Sequence, residues 1–163
     1  KQAEQFGFNN DYVGFLPLPF GSTASDRGLL CISFEYSDPI MMYPDLVRGA
    51  QWGQRHVELD LAAHGMGVAE VQRDTNGTWK VVQGSTYNRR ITGTTPIALS
   101  GPAAGHDLLK TPSDATGTTV LGTLNNCAGG LTPWGTWLQA EENFNQYFAL
   151  SDHKALPTAL AQQ

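Results

Sequence analysis

The sequence has few charged residues and no long apolar run. Charged residues make up 15% of the 163 positions, no stretch is dominated by lysine and arginine, and the formal net charge is -5. Such a chain lacks the basic surface that nucleic acid or an anionic membrane attracts, so neither is predicted as a partner. No run of about 18 apolar residues occurs, so no membrane span is predicted.

Several motifs that would identify a chemistry are also missing. The sequence has no CxxC pair, no HExxH, no EF-hand loop, no P-loop, no Gly-x-Gly-x-x-Gly and no Gly-x-Ser-x-Gly elbow. Its two cysteines, Cys31 and Cys127, permit one disulfide. Cys31 lies in an apolar run and Cys127 in a glycine-rich turn, and these different settings argue against the pair.

Glycine and proline, in contrast, are abundant. The 18 glycines and 9 prolines make up about one residue in six. This composition favours a turn-rich, all-β protein with short helices over a helical bundle. The length is that of one domain.

Local patterns predict individual elements. Residues 28–36 form a buried strand, whereas Pro17 and Pro19 restrict residues 13–20 to an edge strand or a loop. Residues 67–73 and 78–82 form a hairpin around a polar, glycine-containing turn. Residues 43–54 show no regular pattern.

Residues 55–64 fit two structures. Alternating Val57, Leu59 and Leu61 are typical of a strand, but the small residues before His64 and the glycine that follows it favour the end of a short helix. We predict the helix.

Residues 119–148 bring together side chains suited to metal binding. An apolar run ends just before Cys127, and a second strand-like run, 134–138, is followed by Glu141 and Glu142. A thiolate with carboxylates suits a transition metal, and carboxylates with amide oxygens suit calcium. The same residues also fit a buried small side chain and a surface glutamate pair, and their spacing identifies no metal.

Three further charged residues are candidates. Glu35 ends the buried strand 28–36, where a carboxylate needs a partner unless it emerges into solvent. Arg89 and Arg90 point in opposite directions if the backbone is extended, so one could serve a site while the other faces the surface. A guanidinium group suits phosphate or carboxylate; two solvated arginines are the alternative.

With these residues laid out, the chain resembles the PhoX family of bacterial alkaline phosphatases. The resemblance covers roughly residues 6–148 and rests on segments that occur in the family's order. They are 8–15 (FNNDYVGF), 34–36 (FEY), 63–65 (AHG), 87–92 (YNRRIT), 101–105 (GPAAG) and 122–144, which contains GTLNNCAGG, TPWGT and EENF.

The resemblance implies a fold, an activity and ligands. PhoX enzymes are exported, six-bladed β-propellers that hydrolyse phosphomonoesters with a cluster of iron and calcium ions. Matched by motif, Cys127 resembles the iron-binding cysteine, Glu142 and its neighbour Glu141 resemble metal-binding carboxylates, and Glu35 is a further candidate ligand. Arg89 and Arg90 are candidates for holding phosphate. A periplasmic or extracellular location follows from the resemblance alone.

The length limits what this chain can form. Six four-stranded blades cannot be made from 163 residues, so we predict a partial propeller of about two blades in residues 1–150, followed by a tail at 151–163. The predicted function is a fragment or subunit of a phosphatase. The rest of the propeller would come from the same polypeptide before cleavage or from another chain. Two alternatives stay open: a non-catalytic structural protein that self-associates through open strand edges, and a calcium-binding module.

Overall fold

In the computed structural model, residues 1–148 are described, and they form mostly β-strands with short helices. The strands are β1 (Val13–Pro17), β2 (Arg27–Phe34), β3 (Gly65–Arg73), β4 (Trp79–Val81), β5 (Arg89–Ile91), β6 (Pro96–Ala98), β7 (Thr119–Leu121), β8 (Asn126–Leu131) and β9 (Trp137–Glu141). The α-helices are α1 (Pro39–Met42), α2 (Pro44–Val47) and α3 (Gln54–Ala63), and 3-10 turns span Gln2–Glu4, Asp107–Leu109 and Phe144–Tyr147. The tail predicted at 151–163 lies outside the described residues.

One five-stranded antiparallel sheet dominates the fold. Its order is β1-β2-β3-β4, and β5 pairs with β3 beside β4. The predicted buried strand is β2, which runs in register with β3 from Arg27 opposite Gln72 to Phe34 opposite Gly65. The predicted hairpin is β3 and β4, and β1 lies at the sheet edge, as its prolines predict.

Three helices connect β2 to β3. The predicted helix at 55–64 is confirmed as α3, which ends with His64 as its C-cap; Gly65 follows with φ of 101°. A Cβ at Gly65 would lie 2.2 Å from the Ile91 carbonyl oxygen, so only glycine fits where α3 turns into β3. The prediction of an irregular 43–54 is wrong at its start, because Pro44 begins α2.

Residues beyond β5 form two small sheets, β6 with β7 and β8 with β9. Cys127 was predicted in a glycine-rich turn, but it lies inside β8, because pairing with β9 makes the Asn-Cys-Ala-Gly-Gly segment extended. The second strand was predicted to begin at Trp134. It begins at Trp137 instead, since residues 132–136 form the hairpin turn, with the Thr136 backbone N–H donating to Thr132.

Aromatic packing fixes the β8–β9 hairpin against the large sheet. The rings of Tyr12 and Trp137 stack with centroids 6.0 Å apart. A Cβ at Gly129 would lie 2.6 Å from the Tyr12 ring, so the bare backbone of β8 lets this ring approach. Leu131 and Trp137 also pack on the buried cluster of Leu29, Cys31 and Val68. The hairpin is thereby placed beside the start of β1.

The described residues leave large apolar side chains and strand edges uncovered. Leu108 is 88% exposed and Trp134 is 73% exposed. The described part of the chain shows no closed sheet, so the number of propeller blades stays a prediction. None of the helices within residues 1–148 has the length and apolar character needed to cross a membrane.

Candidate metal centre

Acidic groups from three parts of the chain converge at one point. One ligand atom each from Asp11, Glu35 and Cys127 lies within 4.8 Å of the other two. The antiparallel register of β1 with β2, in which Val13 faces Ile32, continues to place Asp11 beside the end of β2, where Glu35 follows. The packing of β8 against β1 and β2 then adds the thiol.

The side-chain amide of Asn125 contacts two of these groups, Glu35 and Cys127. It adopts the left-handed conformation, with φ of 51°, just before β8 begins. Its amide nitrogen lies 3.5 Å from a Glu35 carboxylate oxygen and 4.0 Å from the Cys127 sulfur, and its carbonyl oxygen accepts from the thiol at 3.4 Å. Asn125 therefore bridges the thiol and the carboxylate.

The Cys127 thiol is buried among negative charge. Burial, hydrogen bonding with Glu35 and a smaller contribution from Glu142 raise the pKa of Cys127 to about 12. The two cysteines are both free and buried, as their sequence settings predict. In the absence of a cation the thiol therefore stays protonated at neutral pH.

The two adjacent glutamates have different surroundings. A Glu141 carboxylate oxygen accepts from the Leu124 backbone N–H at 2.7 Å and from the Thr123 hydroxyl at 2.8 Å, which ties β9 to the turn before β8. Glu142 lies close enough to Cys127 to affect its pKa, and its backbone N–H donates to the Asn125 carbonyl at 2.9 Å. Glu142 thus lies near Cys127 but outside the group of Asp11, Glu35 and Cys127, whereas Glu141 supports the turn.

The predicted pair of arginines does not meet this cluster within residues 1–148. The guanidinium of Arg90 donates to five backbone carbonyls, and its carbon lies 4.3 Å from the centroid of the Phe34 ring. The acceptors are the carbonyl oxygens of Gln5, Ala62, Ala63, Met66 and Ile91. Burial lowers the pKa of Arg90 to about 10, so it stays charged at neutral pH. Arg89 is exposed, and together with Arg90 it lines a different cleft, beside Phe6.

A histidine and a tyrosine join α3 to the segment after Glu142. His64 is 1% exposed; its Nδ1 lies 2.8 Å from the Asp60 carbonyl oxygen and its Nε2 lies 2.8 Å from the Tyr147 hydroxyl. The carbonyl can only accept, so Nδ1 donates to it, and in the neutral imidazole Nε2 accepts from Tyr147. Asp60 also accepts a hydrogen bond from the Ser37 hydroxyl. Burial and the charges of Asp60, Glu35 and Cys127 raise the pKa of Tyr147 to about 12.

These side chains border a cleft of about 770 Å³. Glu35 and Asn125 line the cleft on the side of the acidic cluster, and Tyr147 lines it on the side of α3. The volume lies within the range of small-molecule sites. One group of the cluster, Glu35, is therefore accessible from the cleft to a small ligand in the described part of the chain.

The donor set fits cations. Within residues 1–148, no lysine, arginine or histidine forms an ion pair with Asp11, Glu35 or Glu142. Carboxylates gathered with a thiol repel one another once ionised, and a bound cation removes that cost. The oxygen donors suit calcium and the sulfur suits iron.

Sequence reasoning gave no role to Asp11, Asp60 or Tyr147. Asp11 lies in one of the segments that resemble the family, but its place in the cluster depends on the pairing of β1 with β2. Pairing the edge segment with the strand that ends at Glu35 could have identified it. Asp60 and Tyr147 are brought together by contacts between distant parts of the chain, which no local pattern signals.

Known proteins resemble this chain in sequence and in fold. The family model for alkaline phosphatase PhoX matches residues 1–159. The solved structure of Pseudomonas fluorescens PhoX in complex with vanadate, a transition state analogue, is similar to this chain, with a TM-score of 0.84 and 44% sequence identity. The match covers 99% of this chain but 27% of that chain. Curated proteins gave no match. The chain belongs to the PhoX alkaline phosphatase family.

Proposed function

We propose that this chain forms one section of a PhoX-type phosphatase that hydrolyses phosphomonoesters. The observation that carries the proposal is the convergence of Asp11, Glu35 and Cys127 within 4.8 Å, beside an open cleft. Family membership supports the reaction class, and the similar P. fluorescens enzyme was captured with an analogue of a transition state. Hydrolysis adds water to phosphorus, breaks the P–O ester bond and releases an alcohol and phosphate.

The proposed role of the acidic cluster is to hold iron and calcium. Cys127 would bind iron, because a thiolate prefers a softer cation, while Glu35, Glu142 and Asp11 offer the hard oxygens that calcium takes. When bound, such ions would polarise phosphoryl oxygens and lower the pKa of a coordinated water. Asn125 orients the donors, since its amide contacts both Glu35 and Cys127.

The proposed phosphate-binding arginine is Arg89 rather than Arg90. All five N–H groups of Arg90 already donate to backbone carbonyls, whereas Arg89 is exposed. Arg89 lines a cleft other than the one beside Glu35. Its part in phosphate binding therefore stays a prediction. Glu141 also stays a predicted ligand, although its contacts favour a supporting role.

We further propose that the remainder of a β-propeller completes the site. The chain spans 27% of the length of the P. fluorescens chain, so further site groups would come from the rest of such a protein. The uncovered side chains Leu108 and Trp134 suit burial between blades. Export to the periplasm or the exterior belongs to the same proposal and rests on family membership.

The same uncovered surface favours one other function, that of a non-catalytic protein that self-associates. Short two-stranded sheets with open edges pair readily with another copy. Intact mass and oligomeric state, measured with iron and calcium contents on the same native sample, separate the two functions. A longer polypeptide or a partner chain with both metals supports the phosphatase. A metal-free assembly of this chain alone supports the structural function.

The ligand role of Cys127 is tested with Cys127→Ser in the complete enzyme. We expect this variant to lose bound iron and hydrolysis of phosphomonoesters, because a serine hydroxyl is a poor substitute for a thiolate on iron. Cys31→Ser is the matched control: Cys31 is equally buried, at 3% exposure, but packs in the apolar core. Full iron content in Cys127→Ser would contradict the assignment, as would equal iron loss in both variants.

A further inference from the structure

Part of the lining of the cleft beside the acidic cluster takes no part in the proposed metal centre. It consists of two aromatic residues, Tyr36 and Trp52, and the aliphatic Val57, and we call it the aromatic wall. These residues lie between the end of β2 and α3 or on α3 itself. They line the same cleft as Glu35 and Asn125. With about 770 Å³ of space, the cleft holds far more than a phosphate group.

The Trp52 ring is fixed in place without being covered. It makes T-shaped contacts with the rings of Tyr43, at 5.6 Å, and His56, at 5.7 Å. Those two rings contact each other at 5.0 Å, and the Tyr43 hydroxyl donates to the His56 carbonyl oxygen. Trp52 nevertheless remains 52% exposed. A rigid, half-exposed indole costs little conformational entropy when a flat group stacks on it.

Two neighbours extend this surface. Tyr36 is 47% exposed and Val57, on α3, is 49% exposed. Tyr36 directly follows Glu35, so the aromatic wall begins one residue from the acidic cluster. A ligand whose anionic end lies at the cluster therefore has its organic end beside flat apolar surface.

We propose that the aromatic wall binds the alcohol part of the substrate and favours phosphomonoesters whose alcohol carries a planar ring, such as a nucleobase. This inference rests on the proposed phosphatase function and adds a substrate preference to it. Trp52 is the specificity-determining residue, with Tyr36 beside it.

The test compares two esters that differ at one position of the sugar, which carries the planar base in one ester and a hydroxyl in the other. Adenosine 5′-monophosphate and ribose 5-phosphate release the same primary alcohol group, so their intrinsic reactivity is matched. In the complete wild-type enzyme we expect kcat/KM to be about tenfold higher for the nucleotide, which is the effect of one aromatic stacking contact. Trp52→Ala should bring this ratio close to one while leaving the rate with ribose 5-phosphate unchanged, and Trp52→Phe should retain most of the ratio.

Trp79→Ala is the matched control, because Trp79 is also about half exposed, also makes a T-shaped ring contact and does not line this cleft. A wild-type ratio near one overturns the proposal. So does an unchanged ratio in Trp52→Ala, an equal loss with both esters, or the same change in Trp79→Ala. If Trp52→Ala does not fold, competitive inhibition of the wild type by adenosine but not by ribose supports the subsite, and equal inhibition overturns it.

Failure of the underlying function gives a different result. In that case the complete wild-type protein hydrolyses neither ester. Calorimetric titration with adenosine and with ribose, on wild type and Trp52→Phe, then still decides the subsite: preferential binding of adenosine supports it, and equal or no binding overturns it.

Discussion

Replacement of Arg90 by lysine should loosen the junction between α3, β3 and β5. The Arg90 guanidinium is half-buried and joins these elements by donating hydrogen bonds from all five of its N–H groups to backbone carbonyls. Two of the acceptors, Ala62 and Ala63, are carbonyls at the end of α3, which have no partner within the helix. Lysine keeps the positive charge but has at most three donors and no planar fork.

The expected cost follows from the bonds that are lost. Arg90→Lys removes at least two hydrogen bonds to a charged donor, each worth about 1.5–3 kcal/mol, so the junction should lose about 3 kcal/mol. It also removes the contact of the guanidinium with the Phe34 ring. About 3 kcal/mol corresponds to a change of more than 100-fold in local opening.

Hydrogen exchange of the complete protein measures this directly. Amides in residues 61–67 and 89–93 should lose about 100-fold in protection in Arg90→Lys, whereas Arg89→Lys should change protection by about twofold, because Arg89 is exposed. Unchanged protection in Arg90→Lys would refute the structural role. If phosphate hydrolysis also fell while protection stayed unchanged, Arg90 would instead belong to the phosphate site.

Three other residues give further expected outcomes. Tyr147→Phe removes the hydroxyl paired with buried His64, so the free energy of unfolding should fall by about 1–3 kcal/mol in equilibrium unfolding; no change would mean that water replaces the hydroxyl. The Thr116 hydroxyl and nearby backbone N–H groups lower the pKa of Asp114 to about 2. Its stabilisation of the surrounding loop should be complete above about pH 4 and lost as the pH falls through 2. Hydrogen exchange should show this loss in wild type and not in Asp114→Asn. Glu142→Gln should lower the metal content by elemental analysis, and Glu141→Gln should keep it because an amide oxygen still accepts from the turn; the reverse result would exchange the two roles.

Local signals were sufficient where an element depends on its own residues. The alternation in β3 and the turn after Arg73 predicted the β3–β4 hairpin, and the small residues before His64 and Gly65 predicted the end of α3. Both signals reflect short-range sterics and hydrogen bonding. They act within about ten residues, so no knowledge of the rest of the chain was needed.

Elements that depend on distant partners were missed. The segment around Cys127 has the composition of a turn, and it is a strand because β9 pairs with it and the Tyr12 ring packs on Gly129. Likewise, the composition of the Glu141–Glu142 pair does not distinguish its members. They differ because Glu141 is the last residue of β9, so its carboxylate reaches the turn before β8.

The candidate site was predicted only in part, because one of its residues also depends on a partner that is distant in the sequence. The motifs of the resemblance identified Glu35 and Cys127, which converge in the structure, and Glu142, which lies near Cys127 outside that group. Asp11 joins Glu35 and Cys127 through strand register alone. The adjacent arginines were expected to point in opposite directions, and Arg90 does point inward while Arg89 is exposed. The pairing of β5 with β3 determines that Arg90, and not Arg89, points inward. The backbone carbonyls around its guanidinium then give Arg90 a structural role.

Within residues 1–148, the acidic cluster and the half-buried Arg90 do not neutralise each other. The acidic groups Asp11, Glu35 and Cys127 gather at one place, while Arg90, the half-buried cation of the described chain, donates its hydrogen bonds to backbone carbonyls. Arg90 therefore cannot balance the acidic cluster without giving up the junction that it stabilises. We therefore expect the balancing charge to come from bound cations or from groups beyond residues 1–148, and either source agrees with the proposal that this chain contributes part of a larger phosphatase site.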